Sequence, residues 1–162
     1  MTSKPLVVIL MGSPSDRGHV DQIVAVLEPM DIECVQRIAS AHKTPQRLLD
    51  LLAEYEGDPR PKVYITVAGR SNALSGMVDA NVSAPVIACP PVGSSFAGAD
   101  LYSSLRMPSG VAPMVVLDPG NAGLAAAKIL GLVSTEIGEA VGRQQEDHRK
   151  RLAGADSEFG GG

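Results

Sequence analysis

Tryptophan is absent from the 162-residue chain, which has only two phenylalanines and three tyrosines. A chain so poor in rings offers no platform for stacking bases and no aromatic pair to sandwich a flavin. Positive charge is also scarce: 14 Lys and Arg stand against 18 Asp and Glu, a net charge of −4. Nucleic-acid surfaces need a basic face, so no nucleic-acid partner is expected. Apolar runs are short. The N-terminal run LVVILM stops at Gly12-Ser13, too brief for a signal peptide or a membrane span. We therefore expect a cytoplasmic protein with no membrane partner. The two cysteines, Cys34 and Cys89, lie inside apolar, strand-like runs. They read as buried free thiols rather than as a disulfide or a metal pair. No His, Cys or Asp set has ligand spacing, so neither a metal nor another cofactor is expected.

What the chain does have is small aliphatics, 17 glycines and 12 prolines, in a length that suits one domain. Short β-rich runs alternate with amphipathic stretches. Leu6 to Gly12, Lys62 to Gly69 and the run SAPVIACPP read as strands covered on both faces, the last stopped by Pro90. Ile32 to Ala39 and Ala112 to Asp118 are further strand candidates. Helical spacing is clear between Arg17 and Met30, from Pro45 to the EGDPRP break, and in the Ala-rich NAGLAAAKILGL. The stretch ADLYSSLRMPSG suggests a short helix or turn.

Five strands in this rhythm imply an α/β fold, a three-layer doubly wound parallel sheet with right-handed crossovers. The default strand order is 2-1-3-4-5. Residues 1–153 are expected to form one domain that ends in a projecting charged helix over 135–152. Residues 154–162 are expected to be a frayed tail.

In such sheets ligands bind beyond the carboxyl ends of the strands. Three loops there carry polar residues. MGSPSD places Gly12 for a sharp turn, with Ser13, Ser15 and Asp16 leading into a helix whose free N–H groups suit a phosphate. Simple helix capping by Ser15 or Asp16 fits the same spacing. The loop matches neither a Walker A nor a GxGxxG pattern, so a nucleoside triphosphate or dinucleotide is not indicated. SAHKTP sets His42 and Lys43 just ahead of Thr44 and Pro45, which read as the cap and first residue of the next helix. His42 is either a general base suited to neutral pH or part of a solvated loop.

AGRSN lines up Gly69, Arg70, Ser71 and Asn72, as donors to a ligand or as caps of a following helix. A fourth loop, CPPVGSSFAGAD, could form a lid or wall. Arg106 is equally suited to a ligand or a subunit contact, and His19 and His148 fit solvated helix faces. The convergence of the first three loops points to a small phosphorylated ligand and acid–base chemistry.

Taken together, MGSPSD, SAHKTP, AGRSN, PVIACPP and SSLRMPSG resemble the phosphoribosylaminoimidazole carboxylase family of purine biosynthesis, in order from about Val7 to Leu132. The resemblance implies a flavodoxin-like fold and a homo-octamer in which C-terminal helices pack on neighbouring subunits. The family's mutase branch, which rearranges N5-carboxyaminoimidazole ribonucleotide, reads SAHRTP and AGGAAHLPGM in the second and third loops. Here Lys43 replaces the Arg of that branch and Ala73 stands where its second His would be. That resembles the other branch, which carboxylates aminoimidazole ribonucleotide with CO2 and needs neither ATP nor biotin. Leu74 to Met77, LSGM, nevertheless keeps the Gly-Met of the mutase motif.

By the same matching, His42 moves the C4 proton and Lys43 stabilises charge on the carboxyl group. Ser13 and Asp16 hold the ribose phosphate region, with Gly12 turning the loop beneath them. Ser40, Lys43, Gly69 and Ser71 bind substrate or carboxylate, with Asn72 a weaker neighbour. The alternatives are the mutase and, more remotely, a nucleotide-binding module without chemistry.

Overall fold

The structure is a computed structural model that describes residues 4–160. Five strands form one parallel sheet: β1 (Leu6–Met11), β2 (Glu33–Ile38), β3 (Lys62–Val67), β4 (Val86–Ala88) and β5 (Met114–Val115), in the order β2-β1-β3-β4-β5. Both the parallel arrangement and the strand order agree with the sequence expectation. The α-helices among the described residues are α1 (Arg17–Leu27), α2 (Pro45–Glu56), α3 (Ala73–Asp79), α4 (Tyr102–Leu105), α5 (Pro119–Leu130) and α6 (Thr135–Gly160).

The period-2 alternation of a strand explains why β1 is apolar throughout. Val7, Ile9 and Met11 face a core shared with α1, α5 and the start of α6, whereas Leu6, Val8 and Leu10 face one shared with α2 and α3. Every residue of β1 is buried, as a central strand between two helix layers requires. On the first face α1 and α5 touch backbone to backbone. A Cβ on Gly123 would lie 2.9 Å from the Ile23 carbonyl oxygen, so only glycine fits there.

Prolines shorten the two later strands relative to the sequence reading. Pro85 and Pro90 bracket β4, and Pro113 immediately precedes β5. Each lacks the N–H that would extend a ladder. Beyond β5, Asp118 accepts from the Asn121 N–H (2.7 Å) and starts α5.

At the C-terminus the structure corrects the sequence reading in the other direction. Helix α6 runs on to Gly160 instead of ending near Leu152, and residues 161 and 162 of the expected tail lie outside the described residues. No proline interrupts this stretch, and Ala153, Ala155 and Glu158 favour the helix. Its buried residues are Ile137, Ala140 and Val141, all in its first two turns. Among the described residues, no helix is long and apolar enough to cross a membrane.

Candidate active site

All four loops leaving the carboxyl ends of β1 to β4 border one cleft of about 600 Å³. It sits over the switch point between β1 and β3, where an open parallel sheet binds ligands. Its size suits a small molecule.

The first loop is braced by its own side chains. Ser13 and Asp16 cap the turn reciprocally: the Ser15 N–H donates to Ser13 Oγ (3.3 Å) and the Ser13 N–H to Asp16 Oδ2 (3.1 Å). Gly12 donates its N–H to the Val67 carbonyl (3.0 Å), which joins this loop to the end of β3. Burial pushes the Asp16 carboxyl above its ordinary value, against the lowering influence of the Ser13 N–H and His19.

Next to it, the second loop closes on itself. The Ser40 N–H donates to Thr44 Oγ1 (2.9 Å), and the Lys43 N–H donates to Ser40 Oγ (3.2 Å). Thr44 occupies the cap position ahead of Pro45, but its hydroxyl turns back to Ser40 and makes no bond to the helix. This closure leaves His42 and Lys43 exposed at the cleft wall, with all their functional atoms free of internal partners among the side-chain hydrogen bonds of the described residues.

The third loop turns sharply at Arg70, whose φ of 57° is left-handed. Just before it, Gly69 has no room for a side chain, because a Cβ would lie 2.7 Å from the Pro91 carbonyl oxygen. Arg70 and Ser71 are exposed in the cleft. Asn72 does not line this cleft. It is 3% exposed, and its side chain caps α3 by accepting from the Ser75 N–H (3.0 Å) and Oγ (2.9 Å) while donating to Ser104 Oγ (2.9 Å). These bonds occupy its side-chain oxygen and one of its two amide N–H donors.

The structure thus brings Gly12, Ser13, Asp16, Ser40, His42, Lys43, Gly69 and Ser71 to one cleft and leaves Asn72 behind it. Pro91 to Gly93 form the wall expected of the fourth loop. Sequence reasoning missed Asp100 and Leu74. Asp100 is 9% exposed and borders the cleft, and its Oδ2 accepts from the Gly93 N–H (2.9 Å). Only its position before a short helix could have drawn attention, and that is ordinary for an aspartate. Leu74, with Ala68 and Pro91, gives part of the cleft an apolar lining.

Arg106 lies outside the cleft, its Nε donating to the Tyr102 carbonyl (3.4 Å). His148 is exposed on α6. His19 is half-buried instead of solvated, its Nε2 lying 3.3 Å from Cys89 Sγ, and burial holds the imidazole below its ordinary value. Among the described residues, no three His, Cys, Asp or Glu side chains are grouped to hold a metal ion.

Comparison with known proteins places this geometry. A family model described as AIR carboxylase matches residues 6–151. The chain is 53% identical to the phosphoribosylaminoimidazole carboxylase of Treponema denticola, over 96% of this chain and 98% of that one. It is also 53% identical to the phosphoribosylaminoimidazole carboxylase of Archaeoglobus fulgidus, over 94% of this chain and 83% of the other. The crystal structure of Treponema denticola PurE superposes with a TM-score of 0.94, covering 96% of this chain and 98% of the other. A match over nearly the whole chain, in sequence and in backbone, leaves one conclusion: this chain belongs to the AIR carboxylase family of purine-biosynthesis enzymes.

Proposed function

We propose that the cleft carboxylates 5-aminoimidazole ribonucleotide at C4 with CO2 itself, independently of ATP and biotin. The observation that carries this reading is the pairing of Lys43 with Arg70-Ser71 around one cleft, in the residue pattern that resembles the CO2-using branch.

The chemistry follows from the substrate. Its exocyclic amine pushes an electron pair through the ring onto C4. C4 attacks the carbon of CO2, a C–C bond forms, and one C=O π pair moves onto oxygen as carboxylate. Lys43 faces that growing negative charge, the kind of interaction that lowers a barrier in a partly desolvated site. C4 is now tetrahedral and carries both a proton and the carboxylate. His42 removes the proton, the C–H pair returns to the ring and the amine regains its neutral form. A positioned base of this kind contributes typically ~10²–10⁴-fold.

The remaining residues hold the nucleotide. The hydroxyls of Ser13 and Ser15, at the start of the helical turn, suit the phosphate, and Asp16 a ribose hydroxyl. Ser40, Gly69 and Ser71 border the ring and its new carboxylate, and the apolar Ala68, Leu74 and Pro91 suit a CO2 molecule. No step of this scheme calls on a metal or an organic cofactor. The assembly we propose is a homo-octamer in the cytoplasm, with α6 docked on neighbouring subunits.

The test supplies the enzyme with aminoimidazole ribonucleotide and bicarbonate in one assay and with the N5-carboxylated nucleotide in another. Turnover of the first is expected. Efficient turnover of the second alone would make the enzyme a mutase, and tight nucleotide binding without turnover of either would leave a binding module.

A further inference from the structure

Behind the cleft runs a chain of hydrogen bonds that the reaction scheme does not use. The Gly93 N–H donates to Asp100 Oδ2 (2.9 Å), and the Asp100 carbonyl accepts from Ser103 Oγ (2.8 Å). Ser103 Oγ in turn accepts from the Asn72 N–H (2.9 Å). The Asn72 side chain continues the chain in two directions, to Ser104 Oγ (2.9 Å) and to Ser75, whose Oγ lies 2.7 Å from Thr66 Oγ1 in β3. We propose that Asn72, Ser103 and Asp100 form a strap that positions the third and fourth cleft loops against each other, so that Asn72 and Asp100 are positioning residues for the reaction.

Three observations support the strap. First, it ends on the residues that need placing. Asn72 follows directly on Arg70 and Ser71, and Gly93 closes the Pro91–Gly93 wall that presses on Gly69. Second, the two loops already meet without slack, since a Cβ on Gly69 would lie 2.7 Å from the Pro91 carbonyl oxygen. A small displacement of one loop must therefore move the other. Third, Asp100 is a poor choice for stability alone. Its Oδ1 is buried with no hydrogen-bond partner, and among the described residues no cation forms an ion pair with it. A buried carboxylate left half-satisfied is destabilising. Its place at a cleft wall fits a residue whose use is to hold Gly93.

The proposal rests on the reaction reading above, but its test can fail separately. Full-length Asp100→Ala, Asp100→Asn, Ser103→Ala and Asn72→Ala are compared with the wild-type chain. Each is assayed for turnover of aminoimidazole ribonucleotide with bicarbonate and for binding of ribose 5-phosphate, which would meet the first loop. Asp100→Ala and Ser103→Ala should lower kcat by about 10-fold or more, since a misplacement of roughly 1 Å can cost ~10²-fold. Binding of ribose 5-phosphate should hardly change. Asp100→Asn keeps an oxygen for the Gly93 N–H and should recover most of the turnover.

Amide hydrogen exchange gives a readout independent of catalysis. Loss of the Asp100 side chain should speed exchange at Asn72 as well as at Gly93, because the strap loosens as a unit. Unchanged Asn72 exchange in Asp100→Ala, or an Asp100→Asn variant as slow in turnover as Asp100→Ala, would overturn the strap. A wild-type chain inactive on this substrate would count against the reaction reading, and the exchange data would still decide the strap.

Discussion

His42 and Lys43 owe their availability to a small local closure. Ser40 and Thr44 satisfy one another and part of the intervening backbone, so the His42 and Lys43 side chains are left facing the cleft. Replacing His42 with Asn keeps a polar side chain but removes the proposed base. We expect turnover to fall at least ~10²-fold while ribose 5-phosphate binding is kept, measured by steady-state kinetics and titration calorimetry. Near-normal turnover would move proton transfer to another group.

The cysteines make a contrasting prediction. Burial pushes the Cys89 thiol up to about 12 and the Cys34 thiol up to about 11. Both should be inert to Ellman's reagent at pH 8 in the native protein and should react on unfolding. A raised thiol value means that the folded state holds its proton more tightly than the unfolded state. Stability from these two groups is therefore complete below about pH 8.5, the ordinary thiol value, and is lost as pH rises toward 11 and 12. Denaturant melts at pH 8 and pH 10 check the sign, with the alkaline sample expected to be the weaker.

Most cleft residues were legible in the sequence, because glycine and serine at strand ends point to exposed turns. Asn72 could equally cap a helix or meet a ligand, and in the fold its side chain caps α3. Only the fold reveals Ser104 waiting behind it, 32 positions along the chain. Asp100 was invisible for the same reason, since its partner Gly93 belongs to a loop whose path no local pattern dictates.

Among the elements, periodicity was a good guide wherever burial was two-sided. The core strands β1 and β3 and the helices α1, α2 and α5 all carry dense apolar signals and stand where the pattern placed them. Edge elements were harder. β5 has only two residues because Pro113 removes a donor and the edge has a neighbour on one side only. Helix α3 is seven residues long and was legible only through its cap. The contact between α1 and α5 depends on Gly123, whose Cβ position is filled by the Ile23 carbonyl at 2.9 Å. Gly123→Val should force the two helices apart and cost about 1–3 kcal/mol, read as a lower denaturant midpoint. Neither Gly123 nor Ile23 lines the cleft, so kcat of the folded fraction should hold.

At the scale of the whole molecule, α6 is out of proportion to its contacts. Leu152 is 74% exposed and Phe159 92% exposed, and both lie beyond the last buried residue of the helix, Val141. Helices in proteins draw most of their stability from packing, and this 26-residue one buries residues only in its first two turns. If subunits cover it, deleting residues 144–162 should lower the assembly mass in light scattering while far-ultraviolet circular dichroism of the remaining fold persists. An unchanged mass would remove α6 from the interface.

The polarity of the sheet has a practical side. Because every strand runs the same way, the chain enters β1 at the end opposite the cleft, and six residues of strand separate Lys4 from Gly12 by roughly 20 Å. A carrier, dye or solid support joined ahead of Lys4 would therefore hang from the floor of the protein with the cleft open to the bulk. Immobilised in that orientation, the enzyme would present its sites to a flowing substrate without further engineering.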